Sequence, residues 1–217
     1  MDEIVRTIAV FALPLLFAIT MHAAAQGYAA RYFGDNSAYA AGRVTLNPLV
    51  HIDPIGTIVV PVVLYLFTGF AFGWSKPVPI DFSQMRNPKR DMAWVSLAGP
   101  LANLAMALMW LVLGMLLVAG NVTEEFPRKV AEAGIFVNLL LFAFSLFPLP
   151  PLDGGRIVIS LLPHRLAYQY ARIEPYGFFI MLALIYFKVL SFWVAPVMKL
   201  GGIAVQLIAS PLAYLLG

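Results

Sequence analysis

The chain has 217 residues, 61% of them hydrophobic and 12% charged, with a mean hydropathy of +0.85. Soluble domains carry about 25% charged residues, so this composition excludes an ordinary water-soluble domain and indicates a single integral-membrane domain over residues 1–217. The absence of cysteine excludes disulfides and thiolate metal sites. The small net charge of +3 reports membrane topology, so the lipid bilayer is an expected partner and nucleic acid is not.

A membrane span needs roughly 20 apolar residues, so the length accommodates an all-α bundle of about five or six membrane segments. Residues 7–30 carry no Lys, Arg, Asp or Glu and form the first span. The acidic start Met1-Asp2-Glu3 and the length of the run behind it argue against a cleavable signal peptide. Residues 54–75 are also uncharged, but Pro54, Pro61 and three glycines leave two readings, a span or a re-entrant hairpin. Residues 92–123 are the longest uncharged run, and the small residues around Ala98-Gly99-Pro100 predict close helix packing there. A further span over 133–152 is stopped by the prolines of Phe147-Pro148-Leu149-Pro150-Pro151. From residue 176 the apolar chain is interrupted by Lys188 and Lys199, which suggests segments at about 176–197 and 200–217.

His22-Ala23-Ala24-Ala25-Gln26 lies in the last third of the first span. A zinc hydrolase helix of the H-E-x-x-H type places two imidazoles about 6 Å apart on one face to hold the metal, with the Glu activating water. Here the first His is kept, Ala23 stands at the Glu position and Gln26 at the second His position. Asp153, in Leu152-Asp153-Gly154-Gly155, is the other candidate ligand, because an intramembrane carboxylate costs about 2.5–3.5 kcal/mol at the helix centre and is functional by default. Its plainer reading is a cap or turn residue of the next helix.

A joint site requires His22 and Asp153 at the same membrane face, which holds if residues 54–75 are re-entrant. That reading also gathers Arg31, Arg43, Lys76, Arg86, Lys89, Arg90, Arg156, Arg165 and Arg172 on one side. By the positive-inside rule this side is cytoplasmic and the site opens toward it. Asn103 and Asn138 lie inside apolar helices and are read as interhelical hydrogen-bonding residues. Trp74, Trp94 and Trp193 are read as interface markers, Asp53 as a turn or cap residue, and His164 as a surface residue.

The stretch from Phe17 to His22, followed by Gly27-Tyr28-Ala29-Ala30-Arg31-Tyr32-Phe33-Gly34-Asp35, resembles the site-2 protease family of intramembrane zinc metalloproteases, in particular its small bacterial members. The resemblance runs on through Gly42–Pro48, His51–Thr57, Phe72–Pro79, Ala98-Gly99-Pro100 and Pro148–Arg156, in order, over about residues 11–177. It implies zinc-dependent cleavage of transmembrane or membrane-proximal protein segments in a bacterial inner membrane. Two His and one Asp would hold one zinc ion, and a Glu would act as general base. Substrate would lie beside an extended segment near residues 73–80, which makes Gly73, Trp74, Lys76 and Pro77 candidate contacts.

Three positions depart from that pattern. Ala23 removes the general base, a group worth about 100-fold to 10,000-fold in rate. Gln26 replaces an imidazole with a weak neutral ligand, so zinc binding should be weak or absent in this chain. Ser145 stands where relatives have Asn and retains only part of a substrate-binding role. His51 has two readings, a ligand moving into the place vacated at position 26 or, preferred, a hydrogen-bonding residue of its turn. The completeness of the surrounding motifs favours recent loss of the Glu, by deliberate substitution ahead of natural drift. The expectation is therefore an inactivated intramembrane protease. A non-catalytic adaptor or regulator that binds membrane-protein segments is the alternative. A small transporter ranks last, because the paired broken helices of inverted-repeat transporters are not evident.

Overall fold

The computed structural model describes residues 2–59 and 76–216. Eight α-helices are seen among them: α1 (Asp2–Phe33), α2 (Ser37–Ala40), α3 (Pro88–Ala119), α4 (Glu125–Ser145), α5 (Asp153–Leu161), α6 (His164–Ala171), α7 (Gly177–Tyr186) and α8 (Ser191–Leu216). No strand occurs among the described residues, in agreement with the all-α expectation. Val5–Phe33, Pro88–Ala119 and Ser191–Leu215 are long and apolar enough to cross a membrane.

The long helix α3 is the central element and packs against α1, α4, α5 and α8. Its direction relative to α1 follows from two apolar clusters. Val10 of α1 meets Met106 and Trp110 of α3 together with Val130, Ala131 and Ala133 of α4. Near the other end of α1, Ala30 meets Val95 of α3 and Met85. An early α1 residue thus pairs with late α3 residues and the reverse, so the helices are antiparallel. The middle of α1, with His22, must then face the middle of α3, with Asn103. A third cluster of Ala107, Leu139 and Val205 seats α8 against α3 and α4.

Element boundaries differ from the expected spans in two places. The helix expected over 133–152 begins at Glu125 and ends at Ser145, before the prolines. Its first turns carry Glu125, Arg128, Lys129 and Glu132, good helix formers that let it continue beyond its apolar stretch. Near the C-terminus the break falls at Phe187–Leu190, where Lys188 has φ 57°, and not at Lys199. Lys199 lies exposed within the continuous helix α8, where a long flexible stem can carry its ammonium away from apolar surface.

Both sides of the site region are pinned by short polar contacts. Gly34 (φ 116°) ends α1, and Asp35 beyond it is fully buried. The Asp35 carboxylate accepts from the backbone N–H groups of Ser37 and Asp81, each at 2.8 Å. Residues 76–80 of the expected extended segment are non-helical, with Lys76 N–H donating to His51 O at 2.9 Å. Residues 73–75, and most of the 54–75 stretch with its two readings, lie outside the described residues; Pro54–Val59 form a helical turn.

Candidate functional site

The structure brings His22, Gln26 and Asp153 together, although 127 residues separate the last two. Gln26 Nε2 donates to Asp153 Oδ1 at 2.6 Å, and His22 Nε2 lies 3.1 Å from Asp153 Oδ2. Gln26 and Asp153 are buried, at 7% and 8% exposure. Positions 22 and 26 share a face because side chains four apart on a helix lie one above the other. Asp153 reaches them from the first turn of α5, where it makes no capping bond, so the plainer reading of it as a helix cap does not hold.

The turn that delivers Asp153 is set by sterics. After the prolines stop α4, residues 146–150 fold back over the start of α5. A Cβ on Gly154 would stand 2.1 Å from Leu146 O, and one on Gly155 would stand 2.3 Å from Pro150 N. Both are far inside contact distance, so only glycine allows this approach. Gly99 plays the matching part on α3, where a Cβ would lie 2.4 Å from His22 Nε2. The small-residue stretch predicted to pack closely therefore makes room for an imidazole.

Behind His22 the polar contacts continue. His22 Nδ1 lies 2.6 Å from Asn103 Oδ1. Asn103 Nδ2 donates at 3.1 Å both to Ala18 O and to Asn138 Oδ1, while Asn138 Nδ2 donates to Gly134 O at 2.8 Å. The two acceptors facing Asn103 Nδ2 fix the orientation of its amide. Its oxygen faces His22, so Nδ1 must carry a proton and donate, and the contact of Nε2 with Asp153 Oδ2 is a bond in the imidazolium form, in which both ring nitrogens donate. Asn103 and Asn138 are fully buried and behave as the interhelical residues the sequence suggests. Their connection to His22 is new, and the one signal for it was two amides embedded in apolar helices.

The remaining candidates are elsewhere. Ser145 is buried, but its hydroxyl turns back onto its own helix and donates to Phe142 O at 3.2 Å. His51, only 1% exposed, donates through Nε2 to Thr45 O at 3.1 Å, which fits the turn reading. No group of three His, Cys, Asp or Glu side chains among the described residues is placed to hold a metal, so His51 does not complete a ligand set with His22 and Asp153. Lys76 and Pro77 are exposed, and Gly73 and Trp74 lie outside the described residues. Ala23 is buried one residue along from His22 and offers no polar group. Asp53 accepts from the N–H groups of Ile55 and Gly56, as a cap does. His164 and Trp94 are exposed. Trp193 donates to Ala143 O at 3.0 Å, which makes it a contact between α8 and α4.

Comparison with known proteins places this geometry in context. The chain is 36% identical over 194 residues to "Putative zinc metalloprotease YwhC" of Bacillus subtilis, covering 87% of this chain and 85% of that protein. It is 28% identical over 180 residues to "Putative zinc metalloprotease Rip2" of Mycolicibacterium smegmatis, covering 82% and 67% respectively. A shorter match of 64 residues at 31% identity joins it to "Putative zinc metalloprotease MJ0611" of Methanocaldococcus jannaschii. No family model matches the chain, and neither does any solved structure. With the first relative aligned over nearly its whole length, and with the H-x-x-x-x and L-D-G-G segments meeting in space, the chain belongs to the site-2-protease-like family of zinc metalloproteases.

Proposed function

We propose that this chain is a non-hydrolysing member of its family, which receives a transmembrane or membrane-proximal protein segment from the bilayer without cutting it. The observation that carries this reading is the bond from Gln26 Nε2 to Asp153 Oδ1, beside an alanine at position 23. A zinc centre of this family needs lone pairs at positions 22, 26 and 153 and a carboxylate at position 23. Zinc bound by three such groups holds a water and lowers its pKa toward about 7.

The residues present do not fit that ion. A carboxylate is an acceptor, so the Gln26 amide presents its N–H to Asp153 and places a donor where a ligand atom would be needed. The other carboxylate oxygen faces His22 Nε2. Asp153 is thus engaged on both oxygens, and one imidazole with one carboxylate is too small a set for the ion. Ala23 offers no base at the position where the family's general-base Glu is expected. We assign no hydrolytic step to this chain.

The chemistry also bears on how the site was lost. Silencing an enzyme on purpose requires a change only at position 23. The amide at 26 does more, because it gives Asp153 a partner of matching length and polarity. That complementarity favours a site adapted to work without metal over a protease inactivated by one substitution. With residues 54–75 re-entrant, the basic residues would gather on the side of His22, which supports a cytoplasmic opening.

The test uses the full chain in lipid nanodiscs, beside the Ala23→Glu, Gln26→His double variant. Zinc is measured by elemental mass spectrometry, and a model transmembrane substrate is assayed for cleavage and for retention. The chain itself is expected to retain the substrate intact and to hold well under one zinc per chain, while the double variant takes up zinc. Cleavage by the unmodified chain, or failure to retain any transmembrane segment, would overturn the proposal.

A further inference from the structure

We propose that Gln26, Asp153, His22, Asn103 and Asn138 form a clasp that holds α1 against α5 without a metal ion, so that the conformation of this site is indifferent to zinc. The inference rests on the non-hydrolysing reading and concerns what the altered residues now do. From Gln26 to Asp153, His22, Asn103 and Asn138 each polar side chain is bonded to the next, and the chain of bonds ends on Gly134 O. It passes through α1, α5, α3 and α4 in one continuous path.

Two observations show why the junction needs it. Helix α5 is nine residues long and packs chiefly on α3 and α6, whereas α1 and α5 share no extensive helix–helix contact. The side-chain bonds to Asp153 are therefore the direct link between α5 and α1, which are otherwise joined through their common packing on α3. Asp153 is also buried, and a buried carboxylate without donors carries a large desolvation cost, which drives the clasp closed. In a metal centre the ion would bridge positions 22, 26 and 153; here the Gln26 amide spans the same gap as a hydrogen-bond donor.

The carboxamide form of position 153 separates a clasp from a metal site. With Nδ1 of His22 donating to Asn103, an Asp153→Asn side chain can accept from Gln26 and donate to Nε2 of the neutral imidazole, in place of the parent's imidazolium–carboxylate bond, so the path stays unbroken. The same change would weaken any site that depends on a carboxylate ligand. The chain has no native cysteine, so Tyr28→Cys and Leu161→Cys, at positions 59% and 75% exposed on α1 and α5, can be spin-labelled without background.

Pulsed electron-paramagnetic-resonance distances are measured in nanodiscs. The expected result is one narrow distance, unchanged by added zinc or by EDTA, kept in Asp153→Asn and replaced by a broad distribution in Gln26→Ala and Asp153→Ala. Gln26→Met, of similar length but with no donor, supplies the same reading if the shorter variants fail to fold. An unchanged distance in Gln26→Ala and Gln26→Met, or a distance in the parent that moves with zinc or EDTA, overturns the clasp. Failure of the earlier reading is distinct, since it shows as substrate cleavage by the unmodified chain.

Discussion

The two arms of the site are held by different forces. The α5 arm is fixed by sterics: Gly154 and Gly155 sit under residues 146–150 so closely that any side chain would collide with backbone. The α1 arm packs on α3 through apolar clusters toward its two ends, and between them His22 and Gln26 make polar contacts with Asp153 and Asn103. Its residues at 23 and 26 are those that differ from an H-E-x-x-H helix, while the other arm reads Leu152-Asp153-Gly154-Gly155. Positions that carry chemistry can change as long as the polar atoms around them find new partners. Positions that carry backbone contact cannot, because no substitution removes a Cβ.

The comparison breaks most severely at Gly154. Gly154→Ala should cost at least the upper end of the roughly 1–3 kcal/mol typical of overpacking, because the atom it strikes, Leu146 O, is backbone and not a movable side chain. Loss of monodisperse protein in detergent, or a large fall in the thermal midpoint, checks this; a midpoint equal to the parent's would refute the steric account. Next comes Gly99→Ala, whose Cβ would press on His22. It should displace the imidazole from Asp153 and Asn103 and cost about 1–3 kcal/mol for the groups left unpaired, with the His22 ring resonances in nuclear magnetic resonance shifting as the direct readout.

A smaller effect sharpens the polar arm. Asn138→Ala removes the last side chain of the path, and hydrogen bonds between membrane helices average about 0.6 kcal/mol in double-mutant cycles. A double-mutant cycle with Asn103→Ala should show coupling between the two, since they share a bond at 3.1 Å; additive effects would argue that they act separately. The smallest effect lies outside both arms. Asp81 is held below the usual carboxylate range, first by the Ser83 hydroxyl, then by the Gln84 amide and the Ser83 backbone. A depressed carboxyl stabilises its turn above the ordinary carboxylate pKa and loses that contribution as pH falls through its lowered value. Protection factors of the amides of residues 83–85, taken relative to the intrinsic exchange rate at each pH, should therefore fall under acid in the parent, and much less in Asp81→Asn.

Much of this molecule was legible in its residues because the signals were local or chemical. Charge-free runs announced apolar helices, prolines 148, 150 and 151 marked the end of α4, and an acid in Leu152-Asp153-Gly154-Gly155 marked a partner for His22. Helix ends were less legible, since α4 runs eight residues further toward its N-terminus than the uncharged window that suggested it. Hydropathy reports where lipid is tolerated, and backbone hydrogen bonding continues past that limit wherever helix formers follow. Ser145 shows the converse limit: its place in the motif suggested a site contact, but its hydroxyl satisfies itself one turn back on α4.

The sequence by itself determined that this is an all-α membrane chain of a metalloprotease family with an alanine beside His22, because those properties follow from residue types and their order. Only the tertiary structure decided what Gln26 does. Whether a lone amide in an apolar helix is a defect, a ligand or a bond depends on which atom lies within 3 Å of it. Here that atom is Asp153 Oδ1, brought from 127 residues away by the antiparallel packing of α1 on α3 and by the glycine-bound turn that opens α5.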